Sequence, residues 1–233
     1  MFPYSRAHTF NPGLSIFTPR VSAAGGWWDL DGDIGCCVAA YQAKAAADYA
    51  TSKVNLANPG TFDLVEGNGA VPWAGPTGWD FVTASAQYFT TGVVPATTWS
   101  MIIRLSNVPL TAPTYLFLGA TSGGNTTFAI SPRTGGDRYY WNGAGAGANP
   151  GASIAAGVMA IAGNNGYLNG AFDAAIPVTW AGVGTQDLYI GTVNVGGVPH
   201  ASYGDGNVQA CAIYSCTLTA PQVALVAVRM AAL

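Results

Sequence analysis

The sequence predicts an all-β sandwich or barrel, and three observations carry that prediction. Short runs of β-branched and aromatic residues recur along the chain, separated by Gly, Asn and Pro. The composition holds 31 Gly and 14 Pro, the residues that set turns. A length of 233 residues fits one large β domain, since sandwiches and barrels reach this size undivided.

The elements follow in order. Residues 1–24 are rich in Pro and polar residues, with Phe2, Tyr4, Phe10 and Phe17 spaced between them. They predict an extended arm, whose aromatics would anchor it to a neighbouring subunit, ahead of a single domain over 25–233. "CCVAAYQA" (Cys36–Ala43) is an apolar strand, and "KAAADYATSKVNL" (Lys44–Leu56) has Ala-rich helical character ended by "ANPG". "WDFVTASAQYFTTG" predicts two strands with a small turn, and "WSMIIRLSNV" (Trp99–Val108) a strand apolar on both faces around one Arg. "TYLFLGATSGG", "TTFAISP", "DRYYWNGAG", "GVMAIAGNNGYLNGAF", "QDLYIGTVN" and "VQACAIYSC" continue the rhythm. In "GNNGYLNG" the pairs Asn165–Gly166 and Asn169–Gly170 suit turns of positive φ and bracket Tyr167–Leu168. The C-terminal "TLTAPQVALVAVRM" predicts a helix of about eleven residues: Thr219 and Gln222 have capping-box spacing, Pro221 lies in the first turn, and Val223, Val226 and Met230 share a face.

Charge narrows the function. Only 8% of residues are charged, against about 25% in ordinary soluble domains. No apolar run approaches the roughly 18–20 residues that span a bilayer, and the aromatic content argues against disorder. A surface so poor in charge has little electrostatic protection against association, which predicts self-assembly or incorporation in a larger particle. The arginines are scattered, so no phosphate-facing patch forms and nucleic acid is disfavoured. The N-terminus lacks the charged-then-apolar order of a secretory signal. Four cysteines without CxxC spacing and two isolated histidines make a zinc site improbable and favour buried apolar thiols. Whether Cys36 or Cys37 bridges to Cys211 or Cys216 depends on Cα separations that a sequence does not give.

Four stretches together resemble the laminin-G-like, concanavalin-A-type jelly-roll family. They are "VAAYQAKAAADYATSKVNLANPGTFD", "GWDFVTASAQYFTTGVVPATTWSMIIRLSNV", "GYLNGAFD" and "LYIGTVNVGG" followed by "GNVQACAIYSCTLTAPQV". The resemblance covers about Trp27 to the C-terminus. It implies a jelly-roll β-sandwich with an N-terminal arm, a short helix after the first strand and a closing C-terminal helix. Members include lectins, glycosidase appendages, adhesion modules and virion-associated proteins. The variant with "AAYQAK", "NLANPGT" and a terminal helix resembles proteins of tailed phages. That implies a virion location and a non-enzymatic role decorating a capsid or tail as a homo-oligomer, for instance a trimer. The alternative is a lectin-like carbohydrate-binding module.

Jelly-roll β-glucanases place two glutamates on one strand in an E-x-D-x-x-E pattern, because hydrolysis needs paired carboxylates. This chain has one glutamate, Glu66, so no catalytic residue is assigned. His200, Ser202 and Asp205 are the right types for a triad but lack a strand-turn-helix serine elbow. Asp29, Asp31 and Asp33 alternate in "GWWDLDGDIGCC", which leaves calcium open as a cofactor. The spacing fails as an EF-hand, with Ile34 where glycine is needed and Ala40 at the twelfth position, and reads first as a turn. For glycans, "DRYYWNG" and "HASYGDGN" place aromatics beside Asp and Asn, giving Tyr139, Trp141, His200, Tyr203 and Asp205 as contacts. Alternation puts Tyr139 and Trp141 on the face opposite Tyr140.

Overall fold

The computed structural model describes residues 25–30, 34–96, 98–111, 114–122, 126–143, 147–177 and 184–233. The proposed arm, with Phe2, Tyr4, Phe10 and Phe17, lies outside the described residues, as do Asp31 and Asp33.

In chain order the strands are β1 (Cys37–Gln42), β2 (Val65–Gly67), β3 (Trp73–Ala74), β4 (Gly78–Phe81), β5 (Tyr88–Thr90) and β6 (Ser100–Ser106). There follow β7 (Leu118–Thr121), β8 (Thr127–Thr134), β9 (Asp137–Gly143), β10 (Ala148–Ala152), β11 (Gly157–Ala162) and β12 (Asn165–Leu168). The last are β13 (Ala171–Ala175), β14 (Tyr189–Ile190), β15 (Asn194–Val195), β16 (Val198–Pro199) and β17 (Gly206–Tyr214). Two helices join them, α1 (Tyr49–Ser52) and α2 (Ala220–Ala231).

The strands form two sheets. One has the order β13-β12-β11-β6-β17-β4-β3, with β1 also paired to β17. The other has the order β10-β9-β8-β7-β14-β5-β2, with the β15–β16 hairpin attached through β7. The chain between β4 and β5, expected as two strands with a small turn, crosses from one sheet to the other through a 3₁₀ turn at Thr83–Ser85. Trp79, Phe81, Phe89, Phe117, Phe128 and Tyr140 fill the space between the sheets. Trp79, Phe81, Phe89 and Phe117 pack as tilted or edge-to-face rings, the arrangement aromatic quadrupoles favour.

At the β9 end an ion pair ties the layers. Arg138 donates from Nε and Nη2 to the two oxygens of Asp173 at 2.7 Å each, and Tyr140 Oη lies 2.9 Å from Asp173 Oδ2 and from the Tyr167 carbonyl. These bonds link β9 of one sheet to β12 and β13 of the other.

The outer face of the β6–β17 sheet is covered by α2. Val223, Val226, Ala227 and Met230 are buried against Ile102, Ala160 and Ala212, with Trp27 and Leu30 alongside. Gln222 Oε1 accepts the Thr219 N–H at 2.8 Å, the amide half of the expected capping box. Arg104, the one cation in its apolar strand, donates to the Met230 carbonyl at the helix C-terminus, where cations are favoured.

The structure corrects three sequence expectations. The helix expected over Lys44–Leu56 shrinks to the single turn of α1, because Ala45 is left-handed at φ 63° and Asp48 begins the turn by accepting the Thr51 N–H. Asn165–Gly166 is not a turn but lies within β12; a methyl on Gly166 would come within 2.6 Å of the Tyr140 ring, so glycine is there for close packing. The reversal falls earlier, at Gly163 with φ 53°, while Asn169 and Gly170 do take positive φ. The cysteines are not all buried thiols: Cys36 and Cys216 form a disulfide with a Cα separation of 5.7 Å, leaving Cys37 and Cys211 free.

Candidate functional site

Alternation along the second sheet sends Phe128, Ile130 and Tyr140 into the core, and so sends Thr127, Ala129, Tyr139 and Trp141 to the opposite face. Cross-strand register aligns them. Trp141 pairs with Ala129, Ala129 with Gly119, and Gly119 with Tyr189.

On that face Tyr139 and Trp141 stack, with centroids 5.1 Å apart and planes 11° from parallel. Asn149 Nδ2 donates to Tyr139 Oη at 3.0 Å and to Asp137 at 2.9 Å, fixing the ring that supports the indole.

Trp141 borders a pocket of ≈ 220 Å³. Its floor is Thr121, Thr127, Ala129 and Leu116. The facing wall is the β15–β16 hairpin, contributing Val193, Val195 and His200. Gly196 and Gly197 turn this hairpin at φ 63° and 94°, values suited to a two-residue β-turn. Asn194 holds it: the side chain accepts the Gly197 N–H at 2.8 Å and donates to the Asp187 carbonyl and carboxylate. Leu116, Ala129 and Val193 form a small buried apolar cluster, separate from the core and backed by Trp141 and Val195.

The pocket's polar groups are few. Thr127 Oγ1 donates to Thr121 Oγ1 at 3.0 Å. His200 is exposed, and its Nδ1 accepts the Ser202 N–H at 2.9 Å. That bond leaves the neutral ring's proton on Nε2, so His200 presents a donor. It also makes the His200–Ser202 contact a main-chain one.

Of the five glycan-contact residues named from the sequence, Trp141 and His200 line this pocket, and Tyr139 stacks on Trp141 without lining it. Tyr203 and Asp205 do not line it. The Tyr203 carbonyl accepts a bond from Thr83 Oγ1, and burial raises the Tyr203 phenol pKa, with Tyr88 adding to the effect. Asp205 is raised by burial and then by the Asp80 carboxylate. The chain turns between His200 and Asp205, so adjacency in sequence is not adjacency in space.

Leu116, Thr121, Thr127, Ala129, Val193 and Val195 escaped sequence reading. The alternation of "TTFAIS" was a usable signal for Thr127 and Ala129, whereas nothing local marks a hairpin wall that comes from 70 residues further on.

Asp29 is buried, and its carbonyl accepts from Arg229 below α2. Among the described residues no group of three or more His, Cys, Asp or Glu side chains is placed to hold a metal. Glu66 sits on β2 and pairs with Lys53 at 2.5 Å, which lowers its carboxyl pKa. Among the described residues no helix is long and apolar enough to cross a membrane.

The fold is an all-β jelly-roll sandwich of two sheets with one C-terminal helix. No protein-family model and no curated protein sequence matches the chain. Solved structures match in fold. Domain 4 of the extracellular arabinanase AbnA from Geobacillus stearothermophilus, a GH43 protein solved with arabinotriose, superposes with a TM-score of 0.60 at 19% identity, covering 82% of this chain and 98% of that one. A mutant Trypanosoma rangeli sialidase with trans-sialidase activity gives 0.56 at 14% identity, over 83% of this chain. A botulinum neurotoxin type C structure, described as entering cells through two ganglioside molecules, gives 0.60 at 10% identity, over 87%. This chain spans 33% of the sialidase and 53% of the neurotoxin chain. A virion role has no counterpart among these three.

Proposed function

We propose that the chain is a carbohydrate-binding module, and that the face carrying Tyr139 and Trp141 binds neutral glycans. The observation that carries this reading is the parallel stack of two aromatic rings on a sheet face outside the core, beside a pocket with a few convergent polar groups. A pyranose has one face of C–H bonds that packs on an indole, and hydroxyls at its edge that bond to donors such as His200 Nε2–H. The stack on Tyr139 holds Trp141 before ligand arrives, which reduces the ordering cost of binding.

Similarity of fold to an arabinanase domain solved with arabinotriose supports the reading in kind, not in residue detail. Binding is favoured over cleavage because most glycoside hydrolases place two carboxylates about the scissile bond. Among the described residues none that lines the pocket carries a carboxylate, and the one glutamate is engaged with Lys53.

The test is a neutral-glycan array followed by titration calorimetry on the best binder. Trp141→Ala is expected to weaken binding by at least about ten-fold, the order of one lost aromatic contact. Tyr203→Ala, away from the pocket, is expected to leave it unchanged. Retention of full affinity by Trp141→Ala overturns the proposal.

A further inference from the structure

Resting on the glycan-binding reading, we infer that the pocket beside Trp141 takes the methyl group of a neutral pyranose, presented as an acetamido or 6-deoxy substituent. The lining is the reason. Leu116, Ala129, Val193 and Val195 make an aliphatic cup on the solvent side of the sheet, where alternation ordinarily places polar groups. Ala129 and Val193 are only 1% and 3% exposed, so the cup has depth. A sugar hydroxyl entering it would lose water and gain no partner, whereas a methyl group loses nothing and removes apolar surface from water.

Size and charge point the same way. At ≈ 220 Å³ the space is below the roughly 300 Å³ at which pockets begin to take drug-sized ligands. It suits a substituent and part of one ring. Among the described residues no Lys, Arg, Asp or Glu lines it, so none of them there would neutralise a carboxylate or an ammonium group. The polar atoms are the Thr121–Thr127 hydroxyl pair and His200, which can serve the amide or the ring hydroxyls once the methyl is seated.

The experiment uses matched sugar pairs: N-acetylglucosamine against glucose, and L-fucose against L-galactose. Affinities come from titration, and saturation-transfer NMR reports which protons touch the protein. The methyl-bearing member of at least one pair is expected to bind about four-fold tighter or more, with its methyl protons receiving the most saturation. Which pair responds distinguishes the acetamido from the 6-deoxy source. Ala129→Leu, which fills the cup, is expected to bring the ratio to about one. Val195→Ser, at the half-buried wall, provides a second variant should the first fail to fold, and is expected to reduce the ratio. Equal affinity within both pairs, with binding still weakened about ten-fold or more by Trp141→Ala, overturns this inference and leaves the aromatic platform standing. Absence of binding by any neutral glycan overturns both.

Discussion

Removing the Cys36–Cys216 disulfide perturbs stability by an amount that the structure makes calculable. The cysteines are 180 residues apart, so the bond closes most of the chain into one loop. The chain-entropy relation for a loop of that size gives about 5 kcal/mol at 25 °C, and measured disulfides usually deliver somewhat less, so about 3–5 kcal/mol is expected. Unfolding entropy of about 2.1 cal/mol/K per residue makes each kcal/mol worth roughly 2 °C at this length, so Cys216→Ser should lower Tm by about 6–10 °C. The fold itself should survive, because the Ser215 N–H still donates to the Cys36 carbonyl at 2.7 Å and α2 still covers the sheet. Calorimetry without reductant reads the shift, and thiol counting supports it. Wild type unfolded without reductant should release two thiols, Cys37 and Cys211. In the native state neither should alkylate at pH 8: burial pushes the Cys37 thiol up to about 12 and raises Cys211 as well. Four thiols released by wild type, or a Cys216→Ser melting point within about 1 °C of wild type, would refute the reasoning.

Two further substitutions probe the contacts between the sheets. Asp173→Asn leaves Arg138, with 13% of its side-chain surface exposed, without its anion. The cost should be roughly 2–3 kcal/mol, toward the lower side of the range for buried pairs because some solvent reaches it. Burial raises the Asp173 carboxyl, but bonds from Arg138 and Tyr140 outweigh it and the net shift is downward. The pair's contribution is therefore complete above the unfolded value near 3.9 and is lost as pH falls through the lower native value, so urea titrations of wild type and Asp173→Asn should converge below about pH 4. Gly166→Ala places a methyl 2.6 Å from the Tyr140 ring and should cost about 1–3 kcal/mol by chemical denaturation. Gly35→Ala, where an added methyl meets nothing within 4 Å, should cost far less and serves as its control.

Elements with strong local signals were legible in the sequence. The terminal helix announced itself through Thr219, Gln222 and Pro221, and β6 and β17 through apolar runs that fit no other buried element. The Ala-rich stretch before α1 misled because propensity is a weak prior. Asp48, Ser52 and Asn55 bind the local backbone and the buried Trp79 side chain, and this network sets the path. That Tyr139 and Trp141 share the face opposite Tyr140 was legible from strand alternation. His200 and Asp205 looked like one cluster because they are close in sequence, yet the hairpin carries His200 to the pocket and Asp205 toward Asp80. The cysteine bridge is a fact of topology. It follows from β1 lying beside the end of β17, a pairing that no local pattern encodes.

That pairing governs when the protein can exist at all. β17, the hub of its sheet, hydrogen-bonds to β1, β4 and β6 and ends at Tyr214. A chain emerging from the ribosome therefore holds Ala39–Tyr41 and the apolar Met101–Leu105 run with their partner still unmade. The sheet cannot close until residue 214 has cleared the exit tunnel, so its folding is governed by contacts distant in sequence. Any cut that removes Gly206–Tyr214 leaves three strands without their common neighbour, an aggregation-prone fragment instead of a smaller version of the fold.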